Sequence, residues 1–239
     1  MCLCKSLWNT VIGIFVLLFL QSVSCADTGR PPKGNCDEPK PLTDLTHCTF
    51  WDRSFAGIDL HGVILDGVSL RSTNLTGCNL KGASLRKTDL RWSDFSKCQL
   101  SNVDLSDSNL FHTTFDGATV DSAKLNKAYM FGCRFNGVQA RQSDFTAAFM
   151  KDLNMADADL SGSIFRDAYM LRAVVIGSNF SGADLRKANL TGSALEDVNF
   201  TGADLSGANL IGVTLDETIF TGATLDGVAL TDHADLKIN

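Results

Sequence analysis

From Phe50 to Leu230 every residue whose number ends in 0 or 5 is apolar, an unbroken frame of 37 positions filled by 20 Leu, 10 Phe, four Met, Val120, Val175 and Ala140. Two residues before each of these centres the side chain is Ala, Ser, Thr, Cys or Val in 34 of 37 cases, the exceptions being Arg53, Ile58 and Leu153. All 17 glycines of the region, Gly57 through Gly227, fall two residues after a centre. A period of five matches neither the 3.6 of a helix nor the 2 of a strand, so the chain is read first as a repeat.

One geometry accommodates all three regularities. If each pentapeptide forms one short side of a square coil and turns a corner at its Gly slot, the large centre and the small residue both point inward. Four pentapeptides close a coil of 20 residues. Alternating large and small side chains fill a narrow interior, and successive coils pair their backbones as parallel strands do. The frame predicts an all-β solenoid of about nine coils, roughly 44 Å long at about 4.8 Å per coil. Each coil buries its apolar residues only against its neighbours, so stability is expected to be spread along the chain.

Segments such as Ala183-Asp184-Leu185-Arg186-Lys187, Ala188-Asn189-Leu190-Thr191-Gly192, Ala203-Asp204-Leu205-Ser206-Gly207 and Ala208-Asn209-Leu210-Ile211-Gly212 follow Ala-Asp/Asn-Leu-X-X. In this the chain resembles the pentapeptide-repeat proteins over residues 48–230. The resemblance implies a right-handed quadrilateral parallel β-helix. It is specific for fold and uninformative about role, since the family is held together by its architecture.

The ends differ from the repeat. Residues 1–26 read as an export signal, with Lys5 in a charged region, Val11 to Leu20 apolar, and Ser24-Cys25-Ala26 fitting a processing site after Ala26. Two alternatives stay open: an uncleaved anchor, and lipidation of Cys25, because Ser22-Val23-Ser24-Cys25 loosely resembles a lipobox. Membrane association is expected only in those two cases. Residues 27–47 carry all four prolines and read as an irregular arm over the first coil. Residues 231–239 form a short polar tail, which leaves open homodimerisation through the C-terminal coil.

The chain carries 21 Lys and Arg against 27 Asp and Glu, a net charge of −6 that becomes −7 once Lys5 is removed with the signal. Phosphate neutralisation wants the opposite sign, so direct nucleic-acid binding is not expected. In an exported chain disulfides persist. Cys36 with Cys48 would tie the arm to the first coil, and Cys78 with Cys98, one coil apart, are a second candidate pair. Cys48, Cys78, Cys98 and Cys133 occupy the small inward slot, where a thiol also simply replaces Ala or Ser. No Cys-x-x-Cys or Cys/His pattern is evident and the four histidines are scattered, so neither a metal nor a cofactor is expected.

Residues 20 apart form columns up one side of the coil. Tyr129, Phe149 and Tyr169 share the outward slot before the centre, where Asp or Asn is usual; beside them run Phe111, Phe131 and Leu171, with Lys151 interrupting. Contiguous exposed apolar surface marks a contact site, and this column is the candidate protein-binding patch; the competing reading is a ladder that only stabilises stacking. Met130, Met150 and Met170 lie behind it as gap-fillers. Asp89, Asp104, Asp159, Asp184 and Asp204 recur with the repeat and lack clustered His, Ser or Cys partners, so no catalytic site is expected. Asn74, Asn179, Asn189 and Asn199 satisfy the glycosylation sequon, which the frame generates by itself.

The expected function is that of a non-catalytic exported protein-binding or structural module of the periplasm, envelope or medium, with an unidentified protein partner. The family resemblance implies one alternative, a DNA mimic that inhibits or protects an enzyme such as gyrase; a secreted effector is a further alternative, with nothing in the chain that supports catalysis. Export and the modest charge argue against mimicry.

Overall fold

The computed structural model describes residues 30–50 and 53–230. The signal at residues 1–26, processing after Ala26, lipidation of Cys25 and the tail at 231–239 therefore lie outside the described residues. The chain divides into units Met1–Arg30 and Pro31–Asn239, and the architecture below is that of the second. Among the described residues no helix is long and apolar enough to cross a membrane.

From Ser54 on, each outward residue before a centre pairs in parallel with the one 20 further on: Asn74 with Asp94, Asp94 with Thr114, Thr114 with Arg134, and so on to Asn209 with Ala229. Only one residue per pentapeptide forms such a bridge, and two-residue turns separate the bridges. The coil is therefore four-sided, with sides too short to count as extended strands among the described residues. Its hydrogen bonds run between coils: Asp94 N donates to Thr73 O at 3.0 Å, Leu75 N to Asp94 O at 2.8 Å, and Gly77 N to Ser96 O at 2.8 Å.

The corner slot explains the glycine frame. All 17 glycines of the repeat have positive φ, between 62° and 71°, and so do 19 other described residues, Trp92 and His112 among them. The left-handed bend is thus a property of the coil, and glycine is the residue that adopts it without strain. Lys, Asp, Asn and Ser accept it because the closed ladder on either side fixes the backbone.

The centres line the interior as expected, with Phe95, Phe115, Phe135, Phe145, Phe165, Phe180 and Phe200 fully buried. Phe95 stacks on Phe115 with centroids 5.1 Å apart, and Phe145 on Phe165 at 4.7 Å. Burying a Phe or Leu side chain contributes about 1.5–3 kcal/mol, so the ladder supplies the main driving force. Most polar residues of the small slot are satisfied by a recurring bond to the carbonyl 23 residues back, while Ser108 Oγ donates to Leu105 O at 2.6 Å and Thr73 Oγ1 to Arg71 O at 3.4 Å. Ser143 Oγ donates to Val120 O at 2.7 Å, Ser163 Oγ to Ala140 O at 2.6 Å, and Cys133 Sγ to Leu110 O at 2.8 Å. Small hydroxyls can therefore alternate with alanine without an unpaired polar group.

The arm is more regular than its prolines suggest. Lys33 bridges Asp44, which bridges Ile64, and Leu45 is fully buried. Leu42 makes the corner with φ 56°, so Thr43-Asp44-Leu45 already follows the repeat before its expected start at 48. The Cys36–Cys48 disulfide is formed, with Cα atoms 5.5 Å apart. Cys78 and Cys98, expected as a candidate pair, are instead free thiols with sulfurs 2.9 Å apart, and Cys98 Sγ donates to Leu75 O at 2.7 Å. That carbonyl bond is the one that Ser makes in the same slot, so Cys98 fills a serine's role. The contact with Cys98, together with burial, pushes the Cys78 thiol pKa far upward, and burial alone does so at Cys133.

Candidate protein-binding face

The bridges Tyr129–Phe149 and Phe149–Tyr169 put three aromatic residues in one column. Their rings stack with centroids 5.1 Å apart in both steps and planes within 7° and 13° of parallel. Phe111 and Phe131, one slot beyond the centre, stack at 5.5 Å, and Phe111 lies 6.4 Å from Tyr129 and parallel to it. The two columns are thus one aromatic strip. Leu171 continues the outer column and is half-buried. Lys151 stands between Phe131 and Leu171 in this column, with its ammonium 5.9 Å from the centroid of the Phe131 ring, a cation over a π face.

The strip is longer than the sequence columns suggested. Trp92 stacks on His112 at 4.5 Å and meets Phe111 edge-on at 5.4 Å, while His112 meets Phe131 edge-on at 5.8 Å. Both belong to the corner slot, which a reader of the glycine frame passes over. The signal available was a Trp and a His 20 residues apart, each next to the aromatic column. Trp92 is 55% exposed and Tyr129 39%, the two most open aromatic residues of the strip. Gly132, next in that corner column, leaves room for the imidazole, since a Cβ there would meet His112 at 2.6 Å. Behind the strip Met130, Met150 and Met170 are fully buried.

Charges border this side unevenly. Asp89 is held by Arg91 at 2.6 Å, and Asp152 by Arg172 through bonds of 2.7 and 2.8 Å. The Arg172 guanidinium lowers the Asp152 carboxyl from its ordinary pKa. Lys151 and Arg71 remain, the latter only 3.9 Å from Asp89, so the side is mildly cationic. The next side, through Asp94 and Thr114, presents Asp116, Asp157, Glu196, Asp197, Asp216 and Glu217.

The recurring aspartates are occupied by local donors. Asp104 accepts from the backbone N–H of Ser106 at 3.0 Å, Asp204 from that of Ser206 at 3.0 Å, and Asp159 from that of Ser161 at 3.2 Å. Asp184 takes two bonds from Arg186, at 2.8 and 2.7 Å. Each carboxylate thus caps its own turn. A surface hollow of about 570 Å³ lies away from the strip, lined by Asp121, Ser122, Arg141, Gln142, Ser161 and Gly162, and its Asp121 is likewise paired, with Arg141 at 2.6 Å.

A model of the pentapeptide repeat region matches residues 43–125, and one of pentapeptide repeats in eight copies matches 123–162, 154–192 and 193–232. The chain belongs to the pentapeptide-repeat family. Pentapeptide-repeat proteins form right-handed quadrilateral β-helices, which gives the coil its hand. The chain is similar to HetL of the cyanobacterium Nostoc sp. strain PCC 7120, a pentapeptide-repeat protein involved in the regulation of heterocyst differentiation. That likeness has a TM-score of 0.78 and 25% identity, and covers 79% of this chain and 85% of HetL. QnrB1, a plasmid-mediated fluoroquinolone resistance protein, is 19% identical over 75% of this chain and 90% of its own, with a TM-score of 0.45. A pentapeptide-repeat protein of the Arabidopsis thaliana thylakoid lumen is 30% identical over 45% of this chain and 71% of its own, with a TM-score of 0.27. No curated protein sequence matches the chain.

Proposed function

We propose that this pentapeptide-repeat protein is an exported, non-catalytic binding module of about nine coils that holds a protein partner against its aromatic side. The observation that carries this reading is the continuous strip from Trp92 and His112 through Phe111, Phe131, Tyr129 and Phe149 to Tyr169. Coil stacking alone does not require it, because the neighbouring sides stack with Asp, Asn, Thr and Ser in the same slots. The ring faces along Tyr129, Phe149 and Tyr169 are turned on each other, so the strip offers a ribbed apolar surface and no open platform for bases. A protein surface with apolar groups of its own fits such ribs.

Export is supported by Lys5, the apolar run from Val11 to Leu20 and the small residues at Ser24 and Ala26, together with the Cys36–Cys48 disulfide, a bond that persists in oxidising compartments. Soluble release after Ala26 is the form favoured. The test is affinity capture from the fraction that contains the native protein. Wild type is compared with a Tyr129→Asp/Phe149→Asp/Tyr169→Asp variant and with a variant altered on the side of Asp121. Loss of the same partner in the first variant alone, with the circular dichroism of both unchanged, is the expected result. Equal capture by all three proteins would sink the reading.

A further inference from the structure

At the N-terminal end the Cys36–Cys48 bond has a third neighbour. His47 Nε2 lies 3.5 Å from Cys36 Sγ and 3.7 Å from Cys48 Sγ, and the ligand atoms of the three residues all fall within 4.8 Å of one another. Reading the sequence for metal spacing missed this, because Cys36 reaches the adjacent pair His47-Cys48 only when the arm folds back. A tetrahedral zinc ion, with Zn–S of about 2.3 Å and Zn–N of about 2.0–2.1 Å, sets a ligand nitrogen about 3.6 Å from each ligand sulfur. The imidazole stands at about that distance from each sulfur while the disulfide is intact, and on reduction the two sulfurs have only to part to reach their own corners.

The two segments are also held together by bonds that do not involve sulfur. Gly34 N donates to Asp44 O at 2.9 Å and Asp44 N to Pro32 O at 2.8 Å, while Cys48 N to Leu45 O at 2.9 Å fixes the turn that carries His47. The Arg53 guanidinium donates to Cys36 O, and to Asp37 O at 3.3 Å. Opening the disulfide therefore leaves Cys36, His47 and Cys48 adjacent. Cys48 is buried, Cys36 half-buried and His47 exposed, which gives an ion a way in from one side.

We propose that Cys36, His47 and Cys48 form a redox-gated site for zinc or a similar borderline-soft divalent ion. A dithiol reductant supplies two electrons to the sulfur–sulfur bond and closes to its own cyclic disulfide, and its two protons pass to Cys36 and Cys48. The ion then binds both sulfurs as thiolates, releasing those two protons to solvent, and takes His47 through the neutral Nε2. Water completes the fourth position. The arm is clamped to the first coil in either state, by a covalent bond when oxidised and by the ion when reduced.

The experiment uses the full chain, reduced with a dithiol, freed of it under argon and titrated with Co²⁺ while thiolate-to-cobalt charge transfer is followed. Saturation at one Co²⁺ per chain is expected, with loss of the band on adding Zn²⁺ and no band in the oxidised protein. His47→Ala, an exposed change that leaves the fold intact by circular dichroism, is expected to weaken binding about tenfold or more. Cys36→Ser/Cys48→Ser should abolish the band. A silent reduced wild type, a band that survives the double substitution, or an undiminished His47→Ala titration would each overturn the proposal.

Discussion

The indole of Trp92 lies flat on the imidazole of His112, centroids 4.5 Å apart and planes 11° from parallel, although both residues occupy left-handed corners with φ of 64° and 53°. Glycine is strain-free at such a corner, while an L residue in that conformation costs about 1–2 kcal/mol. Aromatic stacking returns about 0.5–1.5 kcal/mol. The two terms nearly cancel, so Trp92 adds little to stability, which leaves its exposed ring available for the proposed partner contact.

Trp92→Gly is accordingly expected to change unfolding free energy by no more than about 1 kcal/mol while reducing capture of the partner. Urea unfolding and the capture assay, run on the same sample, separate the two roles. A loss of several kcal/mol would assign Trp92 to coil stacking.

Gly132 and Gly137 share nearly the same φ, 63° and 62°, but a Cβ at Gly132 would sit 2.6 Å from the His112 ring whereas one at Gly137 meets nothing within 4 Å. Both alanine substitutions carry the same backbone strain. Gly132→Ala should cost about 1 kcal/mol more, the difference being displacement of the imidazole. Equal costs would mean that His112 swings aside freely.

Asp184 is bonded first by Arg186 and then by Arg166, which together hold its carboxyl pKa at about 2. A folded value below the unfolded one of about 3.9 means that this contribution is full above pH 4 and is lost as the pH falls toward 2. Asp184→Asn should flatten the acid limb of stability between those limits and leave its slope at neutral pH unchanged. Thermal melts in citrate and phosphate across that window provide the check.

Removing the Cys36–Cys48 bond by double serine substitution frees a short loop whose closure entropy is worth about 3 kcal/mol. Since coils contribute stability locally, the loss should appear as faster amide exchange in residues 33–48, with little effect near Leu185. Uniform acceleration along the chain would show the coil to be a single cooperative unit.

Much of this was legible in residue order alone. The centres at Phe95, Phe115 and Leu185, the small slot and the Tyr129–Phe149–Tyr169 column are consequences of a frame that never slips, and a fixed period maps directly onto a fixed geometry. Three features were not. Trp92 and His112 sit in a slot defined by glycine, and only the backbone shows that the bend tolerates an aromatic residue. The Asp184–Arg186 and Asp152–Arg172 pairs depend on where long side chains turn, which periodicity does not encode. Leu45 belonged to the frame by its number, but the prolines around it drew attention to the arm as irregular.

The pairing of each residue with one 20 positions later also constrains how such a chain can change length. Duplicating any 20-residue block adds a tooth to every column at once and leaves each side facing as before. Inserting a single pentapeptide between Trp92 and Tyr169 keeps the core intact, yet rotates everything downstream by a quarter turn and splits the aromatic strip across two sides. A lineage of this protein that keeps its ribs aligned can therefore lengthen by whole turns, much as a spring is lengthened, and not by the smaller unit from which it is built.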